Sequence, residues 1–138
     1  MNIEIPEIGS TVRNADGVAK IFRAILEMEC DIDRDKEHFW VIGLSQANKI
    51  KYIELVSLGI LNASLVHPRE VFRFAIMKAV AGIILVHNHP SGETNPSEQD
   101  IRITKQLSEA GKILGIKLYD HVILGEGPER SFANEGLI

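Results

Sequence analysis

The sequence predicts an α/β domain, because helix-like and strand-like segments follow one another in the order α, ββ, α, β, α, β. The chain has 138 residues, a usual size for one domain, and its 45% hydrophobic and 25% charged residues are ordinary globular values. No repeat, low-complexity tract or internal linker divides it. We therefore expect one domain over residues 13–138, preceded by an extended lead-in over residues 1–12.

The first half of the domain predicts a helix followed by a hairpin. An amphipathic helix, capped by Asn14 or Asp16, carries one apolar face. That face consists of Val18, Ile21, Phe22, Ile25 and Leu26. Residues 38–45 and 49–58 are typical of two strands joined by a turn around residues 46–48.

The second half predicts two helices that alternate with two strands. Pro68 begins a helix over residues 68–81, and a β-branched apolar run over residues 82–86 is typical of a buried strand. A helix that opens at Ser97 is expected to end near Gly115, before a last strand over residues 116–125. The expected inward positions of the first of these helices are Val71, Phe72, Ala75, Ile76 and Ala79. In the second helix the apolar residues that recur at helical spacing are Ile103, Leu107, Ala110 and Leu114.

The segment from His87 to Asp100, HNHPSGETNPSEQD, predicts a metal site. Residues i and i+2 of a strand point to the same side, so His87 and His89 form a chelating pair. A Pro- and Gly-containing loop then allows Asp100, in the first helical turn, to fold back towards them. Two imidazoles and one carboxylate are a common open Zn²⁺ set with a fourth position for water, so we expect one zinc per chain.

Part of this segment also has a purely structural interpretation. Ser97 and Asp100 match the capping box [ST]xx[DE], and that pair taken alone favours a helix cap with no chemistry. A cap does not require two histidines on the preceding strand, however. The conjunction of all four side chains therefore favours the metal site.

Several segments together resemble one known family. The pattern HxHP, a spacer and Ser-x-x-Asp resembles the JAMM (MPN+) metalloprotease motif. VHPREVF at residues 66–72, ILVHNHPSG at residues 84–92 and the pair Asp120 and His121 resemble the RadC family of bacterial JAMM-domain proteins, from about Val12 to the C terminus. The resemblance implies a JAMM/MPN-type, cytidine-deaminase-like domain with a mixed sheet flanked by helices.

The resemblance also implies an activity and residue roles. His87, His89 and Asp100 would bind zinc, and Ser97 would help to stabilise a tetrahedral oxyanion. Glu37, at the start of the first strand, matches the family's general base. The implied function is a zinc-dependent metallopeptidase or isopeptidase acting on peptide or isopeptide-linked protein substrates. The motifs HxE and PCxxC of the zinc deaminases are absent.

Other polar residues compete for these roles. Glu37 could instead be only the last charge of the polar turn before the strand. We expect Glu54 to be a solvent-facing strand residue and Glu70 to stabilise the start of its helix. His67 could be a surface or capping histidine or could lie at the rim of the site. Asp120 and His121 could pair with each other or support the metal site from behind its ligands.

Composition limits the partners and the compartment. A single cysteine, Cys30, permits no intrachain disulfide, and the absence of a signal peptide or long apolar span leads us to expect a cytoplasmic protein without membrane contact. Proteins of the RadC family are labelled as DNA repair factors, and full-length members carry a preceding helix-hairpin-helix region that these 138 residues lack. With a net charge of −4, we expect no nucleic-acid binding by this chain alone. A DNA-repair accessory protein and a non-catalytic zinc-binding scaffold remain the alternatives, and a homodimer remains open.

Overall fold

The computed structural model describes residues 9–59 and 66–138, which form a five-stranded sheet with helices on both faces. The helices are α1 (Ala15–Glu27), α2 (Asp31–Arg34), α3 (Pro68–Met77) and α4 (Glu98–Leu114). The strands are β1 (Glu37–Leu44), β2 (Ile50–Gly59), β3 (Gly82–Asn88), β4 (Lys117–Leu124) and β5 (Arg130–Ser131). The α/β class and the predicted order are confirmed, and α2 and β5 are elements that the sequence did not predict.

The sheet is mixed, as the resemblance implied. Its strand order is β2-β1-β3-β4-β5, with β1 antiparallel to both β2 and β3. β3 and β4 run parallel because α4 crosses over between them, and β5 returns antiparallel to β4. The hairpin of β1 and β2 is therefore confirmed, and the carboxyl end of β3 lies beside the start of α4.

The two faces of the sheet pack against different helices. Alternate residues of β1 separate them: Phe39 and Val41 join the core beneath α3 and α4, whereas Trp40 and Ile42 join the core beneath α1. Trp40 is a core residue and is 3% exposed. On β3, His87 follows the buried Leu85 at a spacing of two and therefore faces α4.

A register shift in β4 decides which side chains of that strand face α4. Ile83 pairs with Leu118, but the next residue, Ile84, pairs with Asp120, so one extra residue lies in β4 at this point. After the shift, His121 pairs with Leu85. His121 consequently lies on the same face as His87, where a regular strand would have turned it away.

The helix ends test the sequence predictions in detail. Asn14 caps α1 by accepting a hydrogen bond from the N–H of Gly17, and Gly115 ends α4 in the left-handed conformation at φ 71°. The predicted extent of α3 was wrong, because Ala79 adopts φ 51° and the helix ends at Met77. Ile76, predicted to face inward, is 57% exposed. Within the described residues, no helix is both long and apolar enough to cross a membrane.

Candidate metal centre

The end of β3 and the start of α4 bring three metal-ligating side chains together. His87 is completely buried, Asp100 is 2% exposed, and His89 follows directly after the strand. The backbone N–H of His89 donates to the carbonyl of Leu124, which holds the chain against β4 as it leaves the sheet. The loop then returns Asp100 to the two histidines, as the sequence predicted.

The distances among the three side chains suit a single ion. His89 Nε2 lies 3.1 Å from Asp100 Oδ2, and His87 Nε2 lies 3.3 Å from Asp100 Oδ1. The two Nε2 atoms are 2.8 Å apart. Bonds of about 2.0–2.1 Å around a tetrahedral Zn²⁺ place ligand atoms roughly 3.3 Å from one another. The two histidines approach different oxygens of Asp100, but all three separations lie within about 0.5 Å of that value, and one ligand atom of each residue lies within 4.8 Å of the others. The cluster could therefore bind a metal ion.

The ring of His89 is oriented by the loop that follows it. Its Nδ1 lies 2.8 Å from the backbone carbonyl of Glu93, an atom that can only accept a hydrogen bond. Nδ1 therefore carries the proton and donates it, which leaves the lone pair of a neutral ring on Nε2. That lone pair lies on the side of His87 and Asp100, as a metal ligand requires.

The ring of His87 is held from the opposite side by a second buried histidine. His87 Nδ1 lies 2.6 Å from Nε2 of His121, whose Nδ1 lies 2.6 Å from Oγ1 of Thr104. Phe132 stacks on His121 with ring centroids 4.5 Å apart, and Phe39 meets it edge-on. Of the two arrangements considered for His121, the structure therefore favours support of the cluster over a side-chain pair with Asp120.

Asp120 has a different environment. Its carboxylate accepts hydrogen bonds from Ser131 Oγ at 2.6 Å and from the backbone N–H groups of His121 and Ala133. These bonds attach the segment after β5 to β4. Asp120 therefore holds residues 131–133 against β4, while its neighbour His121 contacts the candidate metal centre.

The capping box is present together with the metal cluster. Ser97 Oγ accepts from the N–H of Asp100 at 3.0 Å, and Asp100 Oδ2 accepts from the N–H of Ser97 at 2.9 Å. The same Oδ2 is the atom next to His89. The two interpretations of this segment are thus compatible, because the cap holds the carboxylate in position beside the histidines. Ser97 Oγ accepts in the cap, so its hydroxyl proton remains available to donate.

A cavity of about 840 Å³ opens over the cluster. Glu37, His89, Ser97 and Asp100 all line it, so the proposed base and oxyanion donor border the same space as two of the ligands. The remaining lining residues are Asp35, Lys36, Gly59, Pro90, Ser91, Glu93, Asn95 and Gln99. The structure thus brings four of the five predicted site residues to the wall of one cavity.

The electrostatics of the cluster follow from these contacts. Burial works to raise the pKa of Asp100, but the rings of His87 and His89, which donate to the carboxylate when they are protonated, outweigh it and hold that pKa well below its usual value. The hydrogen bond with Asp100 raises the pKa of His89, and the charge of Glu37 acts in the same direction. Complete burial lowers the pKa of His121 well below its usual value. The carboxylate of Asp100 therefore stays ionised beside the imidazole rings of His87 and His89.

The acids that competed with Glu37 lie elsewhere. Glu54 was predicted to face solvent, which is wrong: its side chain is only 13% exposed and pairs with Arg73 at 3.4 Å. The reason is that side chains of α3 lie over this part of β2: Arg73 contacts Glu54, and Phe74 contacts the neighbouring Tyr52. Glu70 also pairs with Arg73 in the first turn of α3, which fits the structural role expected of it. His67 is the N-cap residue of α3, makes no side-chain capping bond and is not among the cavity residues.

Asn88 is a site residue that the sequence reasoning missed. Its Oδ1 accepts from the N–H of His38 at 2.6 Å, and its Nδ2 donates to the carbonyl of Lys36 at 3.1 Å. These two partners flank Glu37, so one amide joins the end of β3 to the backbone around the proposed base. A polar residue between two histidines at a buried strand end was the only sequence signal for this role.

The fold and the cluster define a class: an α/β domain with two histidines and an aspartate converging at the carboxyl end of a strand. The family model described as "RadC-like JAB domain" matches residues 12–137. The chain belongs to the RadC-like JAB domain family, which confirms the resemblance read from the sequence.

Similar proteins from several organisms share one name, UPF0758 protein. A UPF0758 protein of Caldanaerobacter subterraneus is 56% identical over 101 residues, which is 73% of this chain and 43% of the relative. A UPF0758 protein of Desulforudis audaxviator is 52% identical over 103 residues, covering 75% and 45% of the two chains. A UPF0758 protein of Syntrophomonas wolfei is 44% identical over 137 residues, covering 99% and 57%. The chain therefore spans about half the length of the curated relatives that it matches.

Proposed function

We propose that this chain is a zinc-dependent hydrolase of amide bonds in peptides or isopeptide-linked proteins. The observation that carries the proposal is the convergence of His87, His89 and Asp100, with Glu37 and Ser97 lining the same cavity. The donor set of two nitrogens and one carboxylate oxygen suits Zn²⁺ and leaves a coordination position open. A bound Zn²⁺ would lower the pKa of a coordinated water to about 7 and polarise a substrate carbonyl.

The side chains around the cluster would perform the proton transfers. Glu37 would accept the proton of the attacking water and pass it to the leaving amine, a role worth about 10²- to 10⁴-fold in rate. Its backbone is fixed on both sides by Asn88, so it enters the cavity from a rigid strand end. The hydroxyl of Ser97 would donate a hydrogen bond to the oxyanion while its oxygen remains the helix cap.

The first test of the proposal is metal content. Elemental analysis of the purified full chain should find close to one zinc per chain, and His87→Ala or Asp100→Ala should lose it because each removes a ligand. Glu37→Gln should keep the zinc, since Glu37 is not a ligand in this proposal. A chain that binds no zinc on reconstitution would remove the enzyme function altogether.

The second test is cleavage of peptide and isopeptide libraries, with products identified by mass spectrometry. Glu37→Gln should retain the fold and the zinc but lose most of the turnover, because the nearly isosteric amide cannot accept a proton. Glu70→Gln is the matched control, since Glu70 lies on α3 outside the cavity. Full turnover by Glu37→Gln would show that the base is misassigned, with Glu93 at the cavity as the next acid to test. Zinc binding without cleavage of any library member would instead favour the scaffold.

A further inference from the structure

We propose that Thr104 and His121 are positioning residues that fix the tautomer of His87, so that the Nε2 lone pair of His87 is held ready for the metal ion. This inference rests on the metal site of the proposed function but not on hydrolysis. The three side chains form a continuous chain of hydrogen bonds that runs from the backbone of α4, through β4, to the end of β3.

The direction of this chain is set at its α4 end. Thr104 Oγ1 lies 2.7 Å from the backbone carbonyl of Asp100, one turn earlier in the helix. A carbonyl oxygen has no proton, so the single hydroxyl proton of Thr104 must be donated to it. Thr104 Oγ1 can then only accept from Nδ1 of His121, which lies 2.6 Å away. His121 therefore carries a proton on Nδ1.

Counting protons in the same way gives the direction of the hydrogen bond between His121 and His87. A neutral imidazole has one N–H, so His121 with its proton on Nδ1 presents a lone pair on Nε2. His121 is completely buried between aromatic rings, a setting that favours the neutral ring. Its Nε2 must accept from Nδ1 of His87, 2.6 Å away. The proton of His87 is thereby fixed on Nδ1, and Nε2 is left for the cluster with His89 and Asp100.

His121 differs from a simple core residue because both of its ring nitrogens make hydrogen bonds. Packing against Phe39 and Phe132 would be satisfied by any aromatic ring of similar size, whereas the bonds to Thr104 and His87 require two ring nitrogens at defined positions. Residues that orient a metal-ligating histidine typically change metal affinity by 10- to 100-fold when they are replaced. We expect the pair to act on metal affinity and not through contact with a substrate.

The test compares two substitutions of Thr104 in the full chain. Thr104→Val removes the hydroxyl with little change in shape and should weaken zinc binding by about tenfold, measured by competition with a chromophoric chelator. Thr104→Ser keeps the hydroxyl and should bind zinc like the parent. Ser131→Ala is the matched control, because it removes another buried hydroxyl, bonded to Asp120, next to but outside the chain. Equal zinc affinities for Thr104→Val and the parent would overturn the proposal.

Nitrogen-15 spectra of the imidazole rings provide a readout that stability alone would not change. In the zinc-loaded parent, His121 should show a protonated Nδ1 and a hydrogen-bonded, unprotonated Nε2. Thr104→Val should shift His121 towards a mixture of tautomers, whereas Ser131→Ala should leave its spectrum unchanged. A proton found on Nε2 of His121 in the parent would overturn the assignment.

Two substitutions of His121 separate packing from positioning. His121→Phe keeps an aromatic ring but leaves Nδ1 of His87 without an acceptor, so zinc affinity should fall by about 10- to 100-fold. His121→Gln offers a carbonyl oxygen in place of Nε2 and should restore part of that affinity. Identical affinities for the two variants would contradict the positioning role. Failure of the parent to bind zinc would overturn both proposals, whereas zinc binding without cleavage would remove only the hydrolase.

Discussion

Ser97 caps α4 and is proposed to have a second, separable role in catalysis, so its removal should have two effects of different size. Its hydroxyl oxygen caps α4 by accepting from the N–H of Asp100, and its hydroxyl proton is proposed to reach the substrate oxyanion. The loss of a serine N-cap to alanine costs about 1 kcal/mol of stability, whereas glycine at this position costs only a few tenths. The loss of one oxyanion donor costs about 2.7–4 kcal/mol of transition-state stabilisation, or 10²- to 10³-fold in turnover.

The two effects can be measured independently. A domain stable by about 5–15 kcal/mol stays almost entirely folded after it loses about 1 kcal/mol. Replacement of Ser97 by alanine or glycine also keeps the backbone N–H of residue 97, which donates to the Asp100 carboxylate, so loss of the side-chain cap alone should not reduce turnover appreciably. Ser97→Ala should therefore lower the free energy of unfolding by about 1 kcal/mol in urea denaturation, and Ser97→Gly by less. Both variants should lose turnover by about 10²- to 10³-fold on a substrate identified by the library screen.

The control is the cap of α1. Asn14 accepts from the N–H of Gly17 at 2.9 Å in the same way, but it is not among the residues of the cavity over the cluster. Asn14→Ala should cost a similar amount of stability and leave turnover unchanged. If Ser97→Ala and Ser97→Gly reduced turnover no more than Asn14→Ala does, Ser97 would be a helix cap only, and the oxyanion role would be refuted.

Two further predictions concern buried charge and nucleic acid. Burial raises the pKa of Glu54, so its contribution to stability is fully present below the unfolded pKa of about 4.3 and is lost as pH rises through the folded value. Urea denaturation of the parent and of Glu54→Gln at pH about 7 and about 4 tests this. Lowering the pH should raise the unfolding free energy of the parent relative to that of Glu54→Gln, and a change in the opposite direction would contradict the burial argument. The net charge of −4 predicts no tight, salt-sensitive binding of duplex DNA at physiological ionic strength in fluorescence anisotropy, and such binding would show the charge argument to be wrong.

Local patterns in the sequence predicted the element order and the three residues of the cluster. The spacing of His87 and His89 follows from the two-residue repeat of a strand, and the position of Asp100 follows from the first turn of a helix. The capping signals of Asn14 and Gly115 are equally local. The role of Glu37 came from family resemblance, because a strand-opening acid carries no local signal of its own.

Contacts between distant segments were decided only by the tertiary structure. The extra residue in β4 turns His121 towards His87, and no repeat in the sequence predicts which face a strand presents after a register shift. Thr104 reaches His121 only because α4 packs across the parallel pair of β3 and β4. Glu54 is covered for the same kind of reason, since an alternating pattern identifies two faces but not which of them a helix will bury. Sequence periodicity determines the direction of a side chain relative to its own element, whereas its neighbours depend on how the elements pack.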